Sequence, residues 1–454
     1  MSVTTSTFSA VLKEYYGPAL ESILNEEVVL FDALKEAGSE CKIAGSGLIW
    51  PVHTGRSGGV GAVAESALLP TAGNQTRRKA TVVPKEIYGR IQLSNRVMTA
   101  SKGDKAAFAD AMDAEMRDLS LELMHSLNRQ LHGLNIDTLS TVTNANEYIT
   151  GVIAECSAAG ATTTTVTVTD THFVHAGMKL RLGDNALDSA TANGVTGSSV
   201  GAAGDLTTAT GDDTAFAFGQ VASVDSRTTF TMTWDAVHTT VPSWDATAVL
   251  TVGDSSFVSY REELTGLTWC VDDDANVDDF QGIDVSANTT WTSHVNGNSG
   301  TNRNLSHELM DAMIDGINEK SGTRPNYITG HNSAVREVKK LMEGDVRYVP
   351  LKFKGGFVRS FLTWNNGKMD VPIVSDRHCF LNKLYFLDLK AIKIGYQDKF
   401  RWLDDDGAVL SRVTNKADFE AAFGAILELL VTKRNAHGLL DDIAINSSTL
   451  ITPQ

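Results

Sequence analysis

The sequence predicts an α+β chain with an inserted β-rich domain, and three observations predict it. Phe108, Met112, Met116, Leu119, Leu123, Leu127 and Leu131 recur at steps of three or four with no Gly or Pro between them, the mark of one long amphipathic helix. Residues 160 to 260 hold 21 threonines and a single lysine, Lys179, with period-2 stretches at Thr164–Thr169, Lys179–Leu182 and Phe230–Trp234, so this segment is built of strands. From Asn304 onward helical and strand patterns alternate, which describes a separate α/β or α+β unit.

Taken in order, residues 8 to 37 carry helical spacing (Leu20, Ile23, Leu24, then Val28, Phe31, Leu34), with Pro18 suited to a first turn and Gly38 to a C-terminal cap. Leu48–Val52 reads as a strand, and Ile87–Val97 alternates as a half-buried strand through Ile87, Gly89, Ile91 and Leu93. Between them lies a glycine-rich flap, Gly55 to Thr81, so that strand, flap and strand form one long arm. The long helix has Asp104 as its cap and His132 with Gly133 at its end. At ~1.5 Å per residue, Lys105 to His132 is on the order of 40 Å, long enough for a domain to pack along. Its Met and Leu stripe reads as core rather than as a cofactor box. The middle of the β-rich segment, Ser189–Asp213, is poor in bulky apolar residues and reads as an exposed loop; the whole suits a small barrel or sandwich.

Asn304 reads as the cap of a helix carrying Leu305, Leu309, Met313 and Ile317 and stopping at Gly322. Then follow a strand at Pro325–Thr329, a helix at Ala334–Met342 on an Asn332 or Ser333 cap, a strand at Val371–Val374 and a longer strand at Leu384–Ile394. Asp418–Asp442 is open between helix (Phe419, Phe423, Ile426, Leu430) and buried strand (Leu427–Val431).

The flap points to function. Its few apolar residues, Val60, Val63, Leu68 and Leu69, follow no sustained period, and a loop this long in a compact domain is either disordered or held by something else, such as a second copy of the chain. Charge supports that reading. The chain carries −16 overall, yet residues 70 to 105 hold eight Lys or Arg against Glu86 and Asp104, while residues 160 to 260 hold three against ten acids. Opposite surfaces on identical copies can steer self-association. The acidic total argues against a protein that grips nucleic acid over its whole surface.

Catalytic and cofactor signals fail on context. Gly59, Gly61 and Ala64 match the spacing of a dinucleotide-binding turn, but Pro70 interrupts where the helix must follow. Gly197, Ser199 and Gly201 match a nucleophile elbow but lie in low-complexity sequence. The acidic clusters Asp272–Asp274 with Asp278 and Asp279, and Asp404–Asp406, lack the alternate spacing of a calcium loop and read as surface turns. His172 and His175 would face opposite sides of a strand. No catalytic set, cofactor or metal is expected. Cys41, Cys156, Cys270 and Cys379 lie far apart with no paired spacing, which suits a reducing compartment. No run approaches the ~18 apolar residues of a membrane span, and the N-terminus lacks a signal-peptide pattern.

The order of these elements resembles the major capsid proteins of tailed bacteriophages, the Hong Kong 97-type fold. Gly266–Trp291 (GLTWCVDDDANVDDFQGIDVSANTTW) resembles a connector of that family, and RPNYITGHNSAVREVKKLM and DVPIVSDRHCFLNKLYFLDLKAIKIG resemble segments of its axial domain. The resemblance implies an N-terminal arm (1–47), an extended loop with flanking strands (48–98), a peripheral domain with a spine helix (99–156), a β-rich insertion (157–262), a connector (263–304), an axial domain (305–395) and a return to the peripheral domain (396–454). It implies homo-hexamers and homo-pentamers in an icosahedral shell, assembled in the host cytoplasm, that encloses double-stranded DNA without reading its sequence. Portal, decoration and scaffolding proteins are the further partners implied. Met1 at the start, with no long charged helical segment before the arm, favours a separate scaffolding protein. Arg77, Arg78, Lys79, Leu68 and Leu69 of the extended loop are the expected subunit-interface residues, the cations pairing with acids of an adjacent copy. Two alternatives stay open: a host-encoded, encapsulin-like cargo compartment of the same fold, and a β-rich adhesion or carbohydrate-binding protein.

Overall fold

The computed structural model describes residues 28–38, 40–96, 111–133, 153–156, 163–168, 171, 173–184, 216–234, 248–253, 263–273, 279–342, 362–404, 409–414 and 416–446. The expectations for residues 8–27, Asp104, Lys105, the Ser189–Asp213 loop, His172, Asp274, Asp278, Asp405 and Asp406 lie outside them. The chain divides into two compact units, one of Met1–Val28, Glu86–Ser126 and Asp398–Ile426, the other of Val29–Lys85, Leu127–Gln397 and Leu427–Gln454.

In the first unit the strand Lys85–Ser94 runs beside the strand Asp418–Val431. That pairing settles the ambiguous C-terminal stretch as strand. Ile87 and Ile91 are buried on one face of Lys85–Ser94, as their alternation predicts. Gly89 shares that face, and a side chain there would strike Leu119 of the helix Ala111–His132, so the glycine lets the helix lie close on the strand. Phe423 stacks with Phe400 at a ring-centroid distance of 6.1 Å and packs tilted against Trp402 at 5.0 Å.

The second unit holds a mixed six-stranded sheet in the order His294–Asn296, Gly438–Leu440, Leu384–Leu387, Tyr327–Gly330, Asp370–Ser375, Leu362–Asn365. The helices His307–Ser321 and Asn332–Met342 cover it through Met310, Met313, Ile314, Ile317, Ala334 and Val338, which pack on Ile328, Val371, Ile373, Leu384 and Phe386. The cap of the first helix is Ser306, which accepts from Leu309 N at 3.2 Å, rather than Asn304. Leu305 instead packs on the core just ahead of that cap, the place of a hydrophobic staple. Gly322 ends the helix in the left-handed region (φ 69), as expected. Asn332 and Ser333 lie inside the second helix, and His331 precedes it, its Nδ1 accepting from Ser333 N. Leu384–Ile394 is not one strand. Asp388 folds a turn, its carboxylate accepting from Lys390 N and Asn326 Nδ2, and a new strand starts at Ile392.

The same unit contains a six-stranded antiparallel sheet in the order Ala248–Val252, Lys179–Asp184, Phe216–Val224, Thr229–Trp234, Thr163–Val168, Ile153–Cys156. The first and last strands of this order approach one another, so the sheet curls toward a barrel around Val166, Leu180, Val221, Phe230, Met232 and Trp234.

Candidate subunit interface

The flap begins at the strand Leu48–Gly55, whose antiparallel partner is Thr76–Val82 and not Ile87–Val97, so the arm closes earlier than the sequence suggests. Thr76–Val82 begins TRRK and shows no apolar run; it is a strand because its main chain pairs with Leu48–Gly55. Residues 56–75 form the tip. Gly59 and Gly73 meet back to back there: a Cβ on Gly59 would lie 2.6 Å from Gly73 N and 2.7 Å from Thr71 O. These glycines serve close approach of the two limbs and not of a phosphate.

Antiparallel register places paired residues on one face. The inner face carries Leu48, Trp50 and Val52 with Val82, Ala80 and Arg78; the outer face carries Ile49, Pro51 and His53 with Thr81, Lys79 and Arg77. Ala80 and Val82 are buried, Leu48 and Trp50 pack with Val82, Ile43 and Leu430, and Ile49 is 54% exposed. The structure thus divides the three expected interface cations. Arg77 and Lys79 stand on the open face, whereas Arg78 donates from Nε to Asn288 Oδ1 at 3.3 Å. At the tip Leu68 and Leu69 are 93% and 81% exposed.

Beneath the flap the connector is organised by a residue that sequence reading passed over. Arg434 is fully buried, donates to the carbonyls of Trp269, Cys270 and Trp291, and lies 4.6 Å from the Phe280 ring centre. Asp272 is buried beside it, Arg434 Nη2 standing 4.0 Å from Oδ2, so this acid is no surface turn. Among the described residues no group of three or more His, Cys, Asp or Glu could hold a metal ion, and no helix is long and apolar enough to cross a membrane.

A second polar cluster, also missed, ties the end of the long helix to the mixed six-stranded sheet, just past its strand Asp370–Ser375. His132 Nε2 donates to Asp376 Oδ2 at 3.0 Å, and its Nδ1 lies 3.2 Å from Cys379 Sγ. Asn128 Nδ2 donates to Asp376 Oδ2 at 3.0 Å and to His378 Nδ1 at 2.9 Å. Burial works against charge on His132, but the Asp376 carboxylate at its Nε2 and the Cys379 sulfur accepting at its Nδ1 more than offset it and hold the imidazole above its usual range. Asp376 is held well below the carboxylate range, since His132 and then His378 overcome its desolvation. Burial brings His378 down to about 4 and pushes the Cys379 thiol up. Sulfur, imidazole and carboxylate are ordered as in a nucleophilic triad, yet all three are buried and Cys379 is held as a thiol. The arrangement fastens two elements together. Next to it Arg129 grips Glu263 with two bonds, of 2.7 and 3.2 Å.

No family model matches the chain, and no curated protein matches it by sequence. Solved structures do. The chain is similar to the subunit in the capsid asymmetric unit of cyanophage A-1(L), at 14% identity over 97% of this chain and 99% of that one, with a TM-score of 0.56. It is similar to the capsid of a native GTA particle, at 9% identity over 98% and 99% and a TM-score of 0.50. The fold is that of phage capsid proteins, the Hong Kong 97-type, of mixed α and β content.

Proposed function

We propose that this chain is the major capsid protein of a tailed phage and assembles into the icosahedral shell that encloses its double-stranded DNA. The observation that carries the reading is coverage: similarity to capsid subunits extends over 97% and 98% of the chain, which leaves no large domain for another task. The work of such a protein is interface formation. Arg77 and Lys79 on the open face of the flap, with Leu68 and Leu69 at its tip, lie on an adjacent subunit of a hexamer or pentamer, the cations facing carboxylates there. The strands between Ile153 and Val252 act as an inserted domain, and a portal, a separate scaffolding protein and decoration proteins are the further partners.

Imaging purified protein by electron microscopy tests the proposal. The expected result is closed shells, with DNA inside when they are isolated from infected cells. A monomer or small oligomer at every concentration would refute it, and shells filled with enzyme would mark a cargo compartment. Arg77→Glu with Lys79→Glu should give soluble protein with few shells; normal shell yield would remove the flap from the interface.

A further inference from the structure

We infer that the connector segment Asp279–Trp291 is a seat that sets the direction of the flap, with Gln281, Asn288 and Thr290 as positioning residues; the inference rests on reading the flap as an intersubunit arm. Both limbs of the flap are held from this one segment. Thr290 Oγ1 donates to Thr54 O at 2.8 Å on the outgoing limb. On the returning limb Thr81 N donates to Gln281 O at 2.8 Å, and Arg78 Nε donates to Asn288 Oδ1 at 3.3 Å. Thr81 pairs with Ile49, whereas Thr54 lies at the other end of the ribbon, between His53 and Gly55. At ~3.3 Å per residue the holds are spread over roughly 16 Å. A two-stranded ribbon is marginal alone and twists freely, so holds at both ends of its base fix elevation and twist together.

The seat is stiff enough to do this. Gln281 and Gly282 take successive left-handed conformations (φ 55 and 74), the tight hairpin turn that joins Asp279–Phe280 to Ile283–Asp284 and turns the Gln281 carbonyl toward Thr81. With the Gln281 amide oriented so that its nitrogen donates, the side chain pairs with Val431 O and N at 3.1 and 3.2 Å. Asn288 Nδ2 donates to Asp284 O, and Trp291 Nε1 to Phe280 O. Buried Arg434 supports the whole from beneath through Phe280 and the Trp291 carbonyl. Arg78 is therefore the flap's half of the seat rather than a cation offered to a neighbour.

The test is the full chain carrying Thr290→Val and Arg78→Ala, both changes at exposed residues. Spin labels at Ala67→Cys on the tip and Lys339→Cys on the helix Asn332–Met342, with Cys41→Ser and Cys156→Ser, report the flap's direction in unassembled subunits. The expected result is a distance distribution at least twice as wide as in the parent, an unchanged urea midpoint, and a tenfold lower yield of regular shells. An unchanged distribution would overturn the inference whatever the assembly result. A widened distribution with normal shells would show that the seat holds the flap but that the flap is not the assembling arm. Arg77→Glu with Lys79→Glu supplies the opposite pattern: lost shells and an unchanged distribution.

Discussion

The flap and the mixed six-stranded sheet are built from the same chemistry of paired strands and differ in what closes them. In the mixed sheet the central strands have a covered face, and Phe386, Leu384 and Ile328 are fully buried under two helices. The flap ribbon has one covered face at its base, and its tip exposes Leu68 almost entirely. Apolar burial at ~25 cal/mol per Å² therefore stabilises the mixed sheet within one chain, whereas the flap can recover such energy only against another surface. Substitutions around the mixed sheet should change stability, and those in the flap should change assembly.

The largest effect is expected at the polar cluster. Asp376→Ala leaves His132 buried with its principal counter-charge gone, and should cost about 3–5 kcal/mol in urea unfolding of the unassembled subunit. A cost as small as that of a surface change would show that the cluster does not fasten the helix to the sheet. Next comes Glu428, whose carboxyl burial pushes up to about 7 against the N–H bonds from Leu429 and Thr265. A pKa raised on folding contributes stability below the unfolded value, near 4.5, and that contribution is lost as pH rises through 7. Glu428→Gln keeps both acceptor bonds without the charge, so it should gain on the order of 2 kcal/mol at pH 8 and close to nothing at pH 5. His378 and His437 act with the opposite sign. Burial lowers them to about 4 and about 3, so the stability they support is present above 6.5 and declines as pH falls toward those values. In Glu428→Gln, which lacks the opposing group, the urea midpoint should drop more steeply from pH 6.5 to 4 than in the parent.

The flap substitutions come last on the stability scale. Gly59→Val forces the two limbs apart near Gly73 and should speed protease cleavage within residues 56–75 while costing less than about 1 kcal/mol globally. Leu68→Ser with Leu69→Ser should leave stability within about 0.5 kcal/mol and still reduce shell yield on electron micrographs. A large stability loss here would mean that the tip is packed within its own subunit.

The sequence by itself determined the elements whose side chains carry a period: the long helix, the threonine-rich strands, the alternation of Ile87, Gly89 and Ile91, and the helix that stops at Gly322. Period reports a one-sided environment, and a one-sided environment is local to one element. Only the tertiary structure decided the rest. Thr76–Val82, with Arg77, Arg78 and Lys79 along it, is a strand because Leu48–Gly55 lies beside it. Once it is a strand, alternation sends Arg77 and Lys79 to one face and Arg78 to the other, where Asn288 accepts from it. Leu384–Ile394 breaks at Asp388 because Asn326, 62 residues away, binds the carboxylate. His132 and Asp376 stand 244 positions apart, and Arg434 meets Trp269 across 165. Such pairs leave no periodic trace, since each polar residue is buried only when its distant partner removes the cost of burying it.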